Sequence, residues 1–292
     1  MKTRRHILTA ALIVLSLPVS LLAADASSRK KKESAPGPAP VSIFADKKLE
    51  QAVRRLVFEK RDNDQPITEA DVKGISTIEA KRLGITDLTG LEKCVALASL
   101  DLAGNAVRDL GPIAKLAQVQ SLNLADNQVE DLGPLKEMVA LQYLELSNNR
   151  VKDLAPLAGL TNLSSLYLSR NAVRDVTPIT GLRKLSSLHL DGNPLGGVRG
   201  LGSLAWLGSL SLNDTGISDL SGLDGVRNLH HLYVERNKIA DFTPLLKIVE
   251  RDAAGEQRFA PFLSIYATGN PLNRAGKASL AKMKTHGVRV ME

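Results

Sequence analysis

Residues 97–162 divide into three rows of 22: LASLDLAGNAVRDLGPIAKLAQ (97–118), VQSLNLADNQVEDLGPLKEMVA (119–140) and LQYLELSNNRVKDLAPLAGLTN (141–162). Apolar residues hold the same columns in each row, and asparagine holds one. The asparagine recurs at Asn105, Asn127, Asn149, Asn171, Asn193 and Asn237, with Thr215 in the vacant slot. A fixed period of this length marks an architecture of stacked units, because no single unit can bury its own apolar face.

Each column has a conformational meaning. The Leu-x-Leu alternation, as at Leu100–Leu102, predicts a short strand with both leucines facing inward. The asparagine then turns the chain, and its amide is placed to bond the backbone of neighbouring turns in a ladder. Asp-Leu-x-Pro-Leu follows in most rows, as at Asp109–Ile113, Asp131–Leu135 and Asp153–Leu157. The proline pre-sets a helical φ, and the aspartate sits where it caps the first amides of a short helical return. Parallel strands about 4.8 Å apart would give a sheet on the order of 40 Å long over nine rungs.

Working backwards, Ile75, Ile78, Ala80, Leu83, Ile85, Leu88, Leu91 and Cys94 are in register but lack the asparagine. Cys94 therefore reads as a small buried hydrophobe. Being the one cysteine, it forms no intramolecular disulfide. Working forwards, Asn270 lies 33 residues after Asn237, an insertion of 11. The polar stretch around Glu250–Arg258 predicts a convex segment lengthened into helix and loop. Phe262, Ile265, Ala267, Asn270 and Leu272 then restore the register, Arg274–Lys284 reads as a helix, and Val288–Val290 reads as a terminal strand. The Gly196-Gly197 and Gly200/Gly202 run replaces the Asp-Leu-x-Pro turn and predicts a loosened convex segment.

These repeats resemble the short bacterial leucine-rich repeats of the internalin class. The similarity extends to Ile43–Asp46, Leu49–Phe58 and Ile67–Asp71, which look like the helical N-terminal cap of such proteins. The resemblance implies an α/β solenoid: a leucine-rich-repeat horseshoe with a parallel concave sheet, short convex helical turns and a cap at each end. The expected divisions are a cap at 43–74, repeats at 75–248, and an irregular last repeat with a C-terminal cap at 249–292. Internalin-class proteins are secreted or surface-attached and bind proteins through the concave sheet without cofactors. No wall-anchoring signal follows Glu292, so covalent surface attachment is not expected.

Residues 1–26 read as a secretory signal peptide. Lys2, Arg4 and Arg5 form a positive n-region, Ile7–Leu22 an apolar run short for a membrane span, and Ala23, Ala24 and Ala26 a small-residue cleavage region. Cleavage after Ala23 or after Ala26 fits, and Thr3–Leu8 also resembles a twin-arginine signal. Residues 27–42 read as a flexible Pro/Lys-rich linker. Export to the periplasm or the extracellular space follows, with membrane contact only in transit. The net charge of +7 is concentrated here too: residues 1–33 supply +5 of it. The repeats thus lack the basic footprint of a nucleic-acid binder.

With the register set, the outward position between the strand leucines runs Glu79, Asp101, Asn123, Glu145, Tyr167, His189, Ser211, Tyr233 and Tyr266. The outward position before the central leucine adds Tyr143 and His231. All four tyrosines fall on one face, where a phenol ring buries area at low entropic cost and keeps a polar tip. The candidate partner site is Tyr143, Glu145, Tyr167, His189, Asp191, His231, Tyr233, Glu235 and Tyr266, on a chain expected to be a monomer. A protein partner is the expected ligand. Glycan or peptidoglycan bound by an envelope scaffold is the alternative, since tyrosines flanked by Asp191, Asn213 and Glu235 also suit sugar.

Two catalytic readings fail on the same register. Ser187, His189 and Asp191, with Ser165 one rung away, suggest a hydrolase triad, but i, i+2 strand neighbours point outward in parallel instead of bonding in line. The His230-His231 pair has adjacent residues on opposite strand faces and no ligand cluster nearby to complete a metal site. No enzyme activity, metal or cofactor is expected.

Overall fold

One sheet of ten strands, all parallel and in chain order, carries the repeats. The strands are β1 (Thr77–Glu79), β2 (Ser99–Asp101), β3 (Ser121–Asn123), β4 (Tyr143–Glu145), β5 (Ser165–Tyr167), β6 (Ser187–His189), β7 (Ser209–Ser211), β8 (His231–Tyr233), β9 (Ser264–Tyr266) and β10 (Arg289–Met291). They belong to a computed structural model that describes residues 41–292, so the readings of 1–26 and of 27–40 lie outside the described residues. The central residue of each strand from β1 to β9 is buried, and its two neighbours mostly face solvent. The terminal strand expected at Val288–Val290 runs Arg289–Met291, pairs with Ser264–Tyr266 and continues the sheet past the last repeat.

Between strands the chain returns through 3-10 turns with proline in the first turn, as at Gly111–Ile113, Gly133–Leu135, Ala155–Leu157 and Thr177–Ile179. The aspartate two residues ahead accepts the first amide of each turn, Asp109 from Gly111 at 2.7 Å and Asp131 from Gly133 at 2.8 Å. Leu102, Val107, Ile113, Leu116 and their counterparts bury fully along one continuous core. A fully buried leucine contributes about 2 kcal/mol, so the stack is held by repetition and needs no disulfide. Cys94 is buried as expected, and burial pushes its thiol up to about 12.

The asparagines form the ladder. Asn127 donates to Leu102 O one turn back and to Leu124 O in its own turn, while its Oδ1 accepts from Val107 N at 3.0 Å. Asn149, Asn171 and Asn193 repeat the arrangement. On the first rung Leu83 occupies the asparagine slot and is partly exposed, contrary to its expected inward place. Asn105 of the next rung compensates by accepting from both Leu83 N and Ile85 N.

The ladder breaks between Asn193 and Thr215. Thr215 has no amide to extend, and Leu195 N turns to Asn193 O in its own turn. Pro194 has no N–H for the bond that Ala172 N makes to Val151 O one repeat earlier. Gly216 gives its N–H to Asn237 Oδ1 instead. An open cleft of about 810 Å³ lies here, lined by residues such as Leu195, Val198, Ile217 and Asp219. Gly196, Gly197 and Gly200 of the glycine run line this cleft, and a Cβ on Gly197 would meet open space, whereas Gly202 is packed tightly. A Cβ on Gly202 would lie 1.9 Å from Asp224 O, and one on Gly222 would lie 2.3 Å from Val198 O. Glycine is required there so that adjacent backbones touch.

Ahead of β1, α1 (Lys47–Arg54) and α2 (Glu69–Val72) precede the first rung. Asp46 caps α1 through Lys48 N and Leu49 N and also accepts from Thr86 N at 2.9 Å, joining the helix to the first turn. Phe58, at the end of the segment expected to be helical, lies beyond α1 and is exposed, with the Arg61 guanidinium over its ring. At the other end the insertion forms α3 (Thr243–Ala253), and α4 (Arg274–Thr285) packs on it. Leu263 takes the buried position before β9 and Phe262 is exposed, a one-residue departure from the expected register. No described helix is long and apolar enough to cross a membrane.

Candidate functional site

The strand register places the candidate residues in rows across the sheet. One row of outward positions runs Glu79, Asp101, Asn123, Glu145, Tyr167, His189, Ser211, Tyr233, Tyr266 and Met291. The next runs Thr77, Ser99, Ser121, Tyr143, Ser165, Ser187, Ser209, His231, Ser264 and Arg289. Asp191 and Glu235 lie just beyond the strands, two residues after His189 and Tyr233. His231 is exposed, and the other eight are half-buried.

Six of the nine residues form two aromatic groups. Tyr143 and Tyr167 lie 5.5 Å apart between ring centroids, and His189 meets Tyr167 edge-on at 4.8 Å. Tyr233 and Tyr266 stack at 4.5 Å with 15° between planes, and His231 stands 6.3 Å from Tyr233. Strand β7 separates the groups with two serines, Ser209 and Ser211. Two rungs at about 4.8 Å put the backbones of β6 and β8 about 10 Å apart.

Burial pushes the Tyr143 phenol up to about 12, with Glu145, Tyr167 and Asp101 adding to it. Burial and the neighbouring Tyr266 likewise raise Tyr233. His189 is shifted down by burial, against the opposing pull of Asp191 and Glu145. At neutral pH Tyr143 and Tyr233 are therefore phenols and His189 is an uncharged imidazole.

The triad geometry does not assemble. Asp191 Oδ1 accepts from Ser211 Oγ and from Asn213 N at 2.8 Å, and Oδ2 accepts from Ser169 Oγ at 3.1 Å. Its hydrogen bonds go to these donors rather than to His189, whose Nε2 lies 3.5 Å from Ser209 Oγ across the strands. His230 and His231 are both exposed, which departs from the expectation of opposite faces, since His230 precedes the strand proper. Among the described residues no three His, Cys, Asp or Glu side chains gather as a metal would need.

A family model for leucine-rich repeats in two copies matches residues 117–159 and 139–181. No curated protein matches the chain. Among solved structures, internalin C2 from Listeria monocytogenes is 32% identical, with a TM-score of 0.67, over 70% of this chain and 91% of that one. A leucine-rich-repeat protein of Leptospira interrogans is 18% identical with a TM-score of 0.54, over 69% of this chain and 56% of its own. The plant peptide hormone receptor RGFR1 in complex with RGF2 is 17% identical with a TM-score of 0.53, over 69% of this chain and 32% of its own. The last two share the fold alone. The repeat ladder, the parallel sheet and the identity to internalin C2 together place this chain in the bacterial internalin-like family of leucine-rich-repeat proteins.

Proposed function

We propose that the chain is an exported, non-catalytic module that holds a protein partner on its concave sheet, across the stretch from Tyr143 to Tyr266. The leucine-rich-repeat fold is that of a protein–protein interaction module. The observation that carries the location is the pair of aromatic groups, half-buried except for His231, on adjoining outward rows. Aromatic side chains placed centrally on a face supply most of the binding energy in interfaces of this kind. Export rests on the signal-like residues 1–26 and on the internalin resemblance. No observation favours a glycan over a protein.

The test replaces Tyr167, Tyr233 and Tyr266 together by alanine and compares capture from envelope extract with that of the parent. Loss of a specific captured protein, with circular dichroism and melting unchanged, supports the reading. Unchanged capture on a folded variant refutes it. Binding of purified cell-wall polymer by the parent and not by the variant would replace the protein partner with a glycan.

A further inference from the structure

The rim of the stack where the chain rises into the sheet is apolar and cationic. A buried residue such as Leu97, Leu141, Leu207 or Leu263 opens each rung there, and the two residues before it are mostly exposed. We propose that this rim rests on the surface of an anionic lipid bilayer. It is a different surface from the outward rows of the concave sheet.

Four of the eight large apolar side chains exposed among the described residues stand on this rim: Val95, Val139, Trp206 and Phe262, at 59%, 52%, 66% and 62%. Trp206 and Phe262 come immediately before the buried leucine of their rung, and Val95 and Val139 one residue earlier. Side-chain bonds tie successive rungs together along it. Asn162 donates to Val139 O at 2.9 Å, Lys184 to Asn162 Oδ1 at 2.7 Å, and Asn228 to Ala205 O. Singly scattered apolar residues are ordinary on a protein surface, whereas their gathering on one edge marks a contact.

The charge selects the kind of surface. Arg183, Lys184 and Arg227 occupy the same two positions of their rungs, and all three are exposed. From Val95 to Phe262 those positions hold no aspartate or glutamate. Asp224, three residues before Arg227, is paired with Arg251 at 2.9 Å. The opposite rim, formed by the second and third residues after each strand from β2 to β9, is different. It holds Asp126, Asp191, Asp214 and Glu235 and no large apolar side chain.

An anionic bilayer uses both properties at once. Indole rings settle at the headgroup level, and binding grows with the apolar area inserted and with each cation brought to the anionic surface. A rim of eight rungs at about 4.8 Å offers a line of contact about 34 Å long. No described helix is long and apolar enough to cross the membrane, so the contact is one of lying on the surface. Membrane contact then outlasts the transit expected of residues 1–26.

Trp206 is the protein's single tryptophan, so its fluorescence reports on the rim alone. The full chain is titrated with vesicles of equal parts phosphatidylcholine and phosphatidylglycerol, and separately with phosphatidylcholine vesicles. On the mixed vesicles the emission should move to shorter wavelength and iodide quenching should fall. Affinity should be at least about tenfold lower for the neutral vesicles, and for a variant combining Arg183→Gln, Lys184→Gln and Arg227→Gln with unchanged circular dichroism. Residues 1–42 are common to parent and variant, so that difference belongs to the rim. Unshifted emission on the mixed vesicles, or equal affinity of parent and charge variant, would overturn the proposal. An emission shift that follows protein concentration without lipid would assign the rim to a second copy of the chain and overturn it too. The triple tyrosine variant should keep the lipid response, so this proposal and the concave-face reading fail separately.

Discussion

Tyr233 and Tyr266 stack ring on ring at 4.5 Å although 33 residues separate them, where every earlier pair of adjacent rungs is separated by 22. The extra residues leave the sheet undisturbed because α3 takes them up outside it, and β8 and β9 still pair Tyr233 with Tyr266. Stacked rings at this separation are worth about 0.5–1.5 kcal/mol beyond the area they bury. A double-mutant cycle on Tyr233→Ala and Tyr266→Ala should therefore show coupling of about 0.5–1 kcal/mol in urea unfolding. Strict additivity would mean that the rings do not interact in solution.

The asparagine ladder predicts unequal costs along the stack. Asn127→Ala leaves the buried Val107 amide without its acceptor and removes the bonds to Leu102 O and Leu124 O, which keep the amides of Asn105 and Asn149. That should destabilise the protein by about 2–4 kcal/mol. Thr215→Ala removes one hydroxyl, which bonds Leu212 O and Asn237 Oδ1, while Asn237 keeps the backbone amides of Thr215 and Gly216. Its cost should be about 1 kcal/mol. Chemical denaturation of the two variants measures both, and equal losses would contradict the ladder's geometry.

Amide exchange should expose the break at Pro194. The amides of Val151 and Val173 bond the next rung's asparagine, whereas that of Leu195 bonds only within its own turn. Opening the cleft-side turn frees Leu195 without disturbing a neighbouring repeat. Leu195 should exchange at least about tenfold faster than Val173, as read by hydrogen exchange with NMR detection. Equal protection would show that the stack opens as one unit at this point.

His189 gives stability a pH dependence of known sign. Burial lowers its folded pKa below the ordinary value of about 6.5, so the unfolded chain binds the proton more readily. Its contribution is fully present above pH 6.5 and is lost as pH falls through the folded pKa. His189→Gln should narrow the stability difference between pH 7.5 and pH 5.0, measured by urea unfolding at each pH. A difference unchanged by the substitution would mean that the imidazole is protonated as easily in the fold as in the unfolded chain.

Much of this architecture was legible because it is periodic. One asparagine column and the leucines around it determine strand direction, inward faces and row membership, since a strand alternates with period two and the rows repeat every 22 residues. That arithmetic placed all four tyrosines on one face. It went astray where the period slips: Leu83 without an asparagine, and Phe262 exposed beside buried Leu263.

By itself, then, the sequence determined the repeat, the sheet and the row on which each tyrosine stands. These follow from local preferences multiplied by strict repetition. The tertiary structure decided which rings touch and that Asp191 is bound to three donors from neighbouring turns. Side-chain rotation and cross-rung contact settle those relations, and a period fixes position along the chain while leaving rotation free.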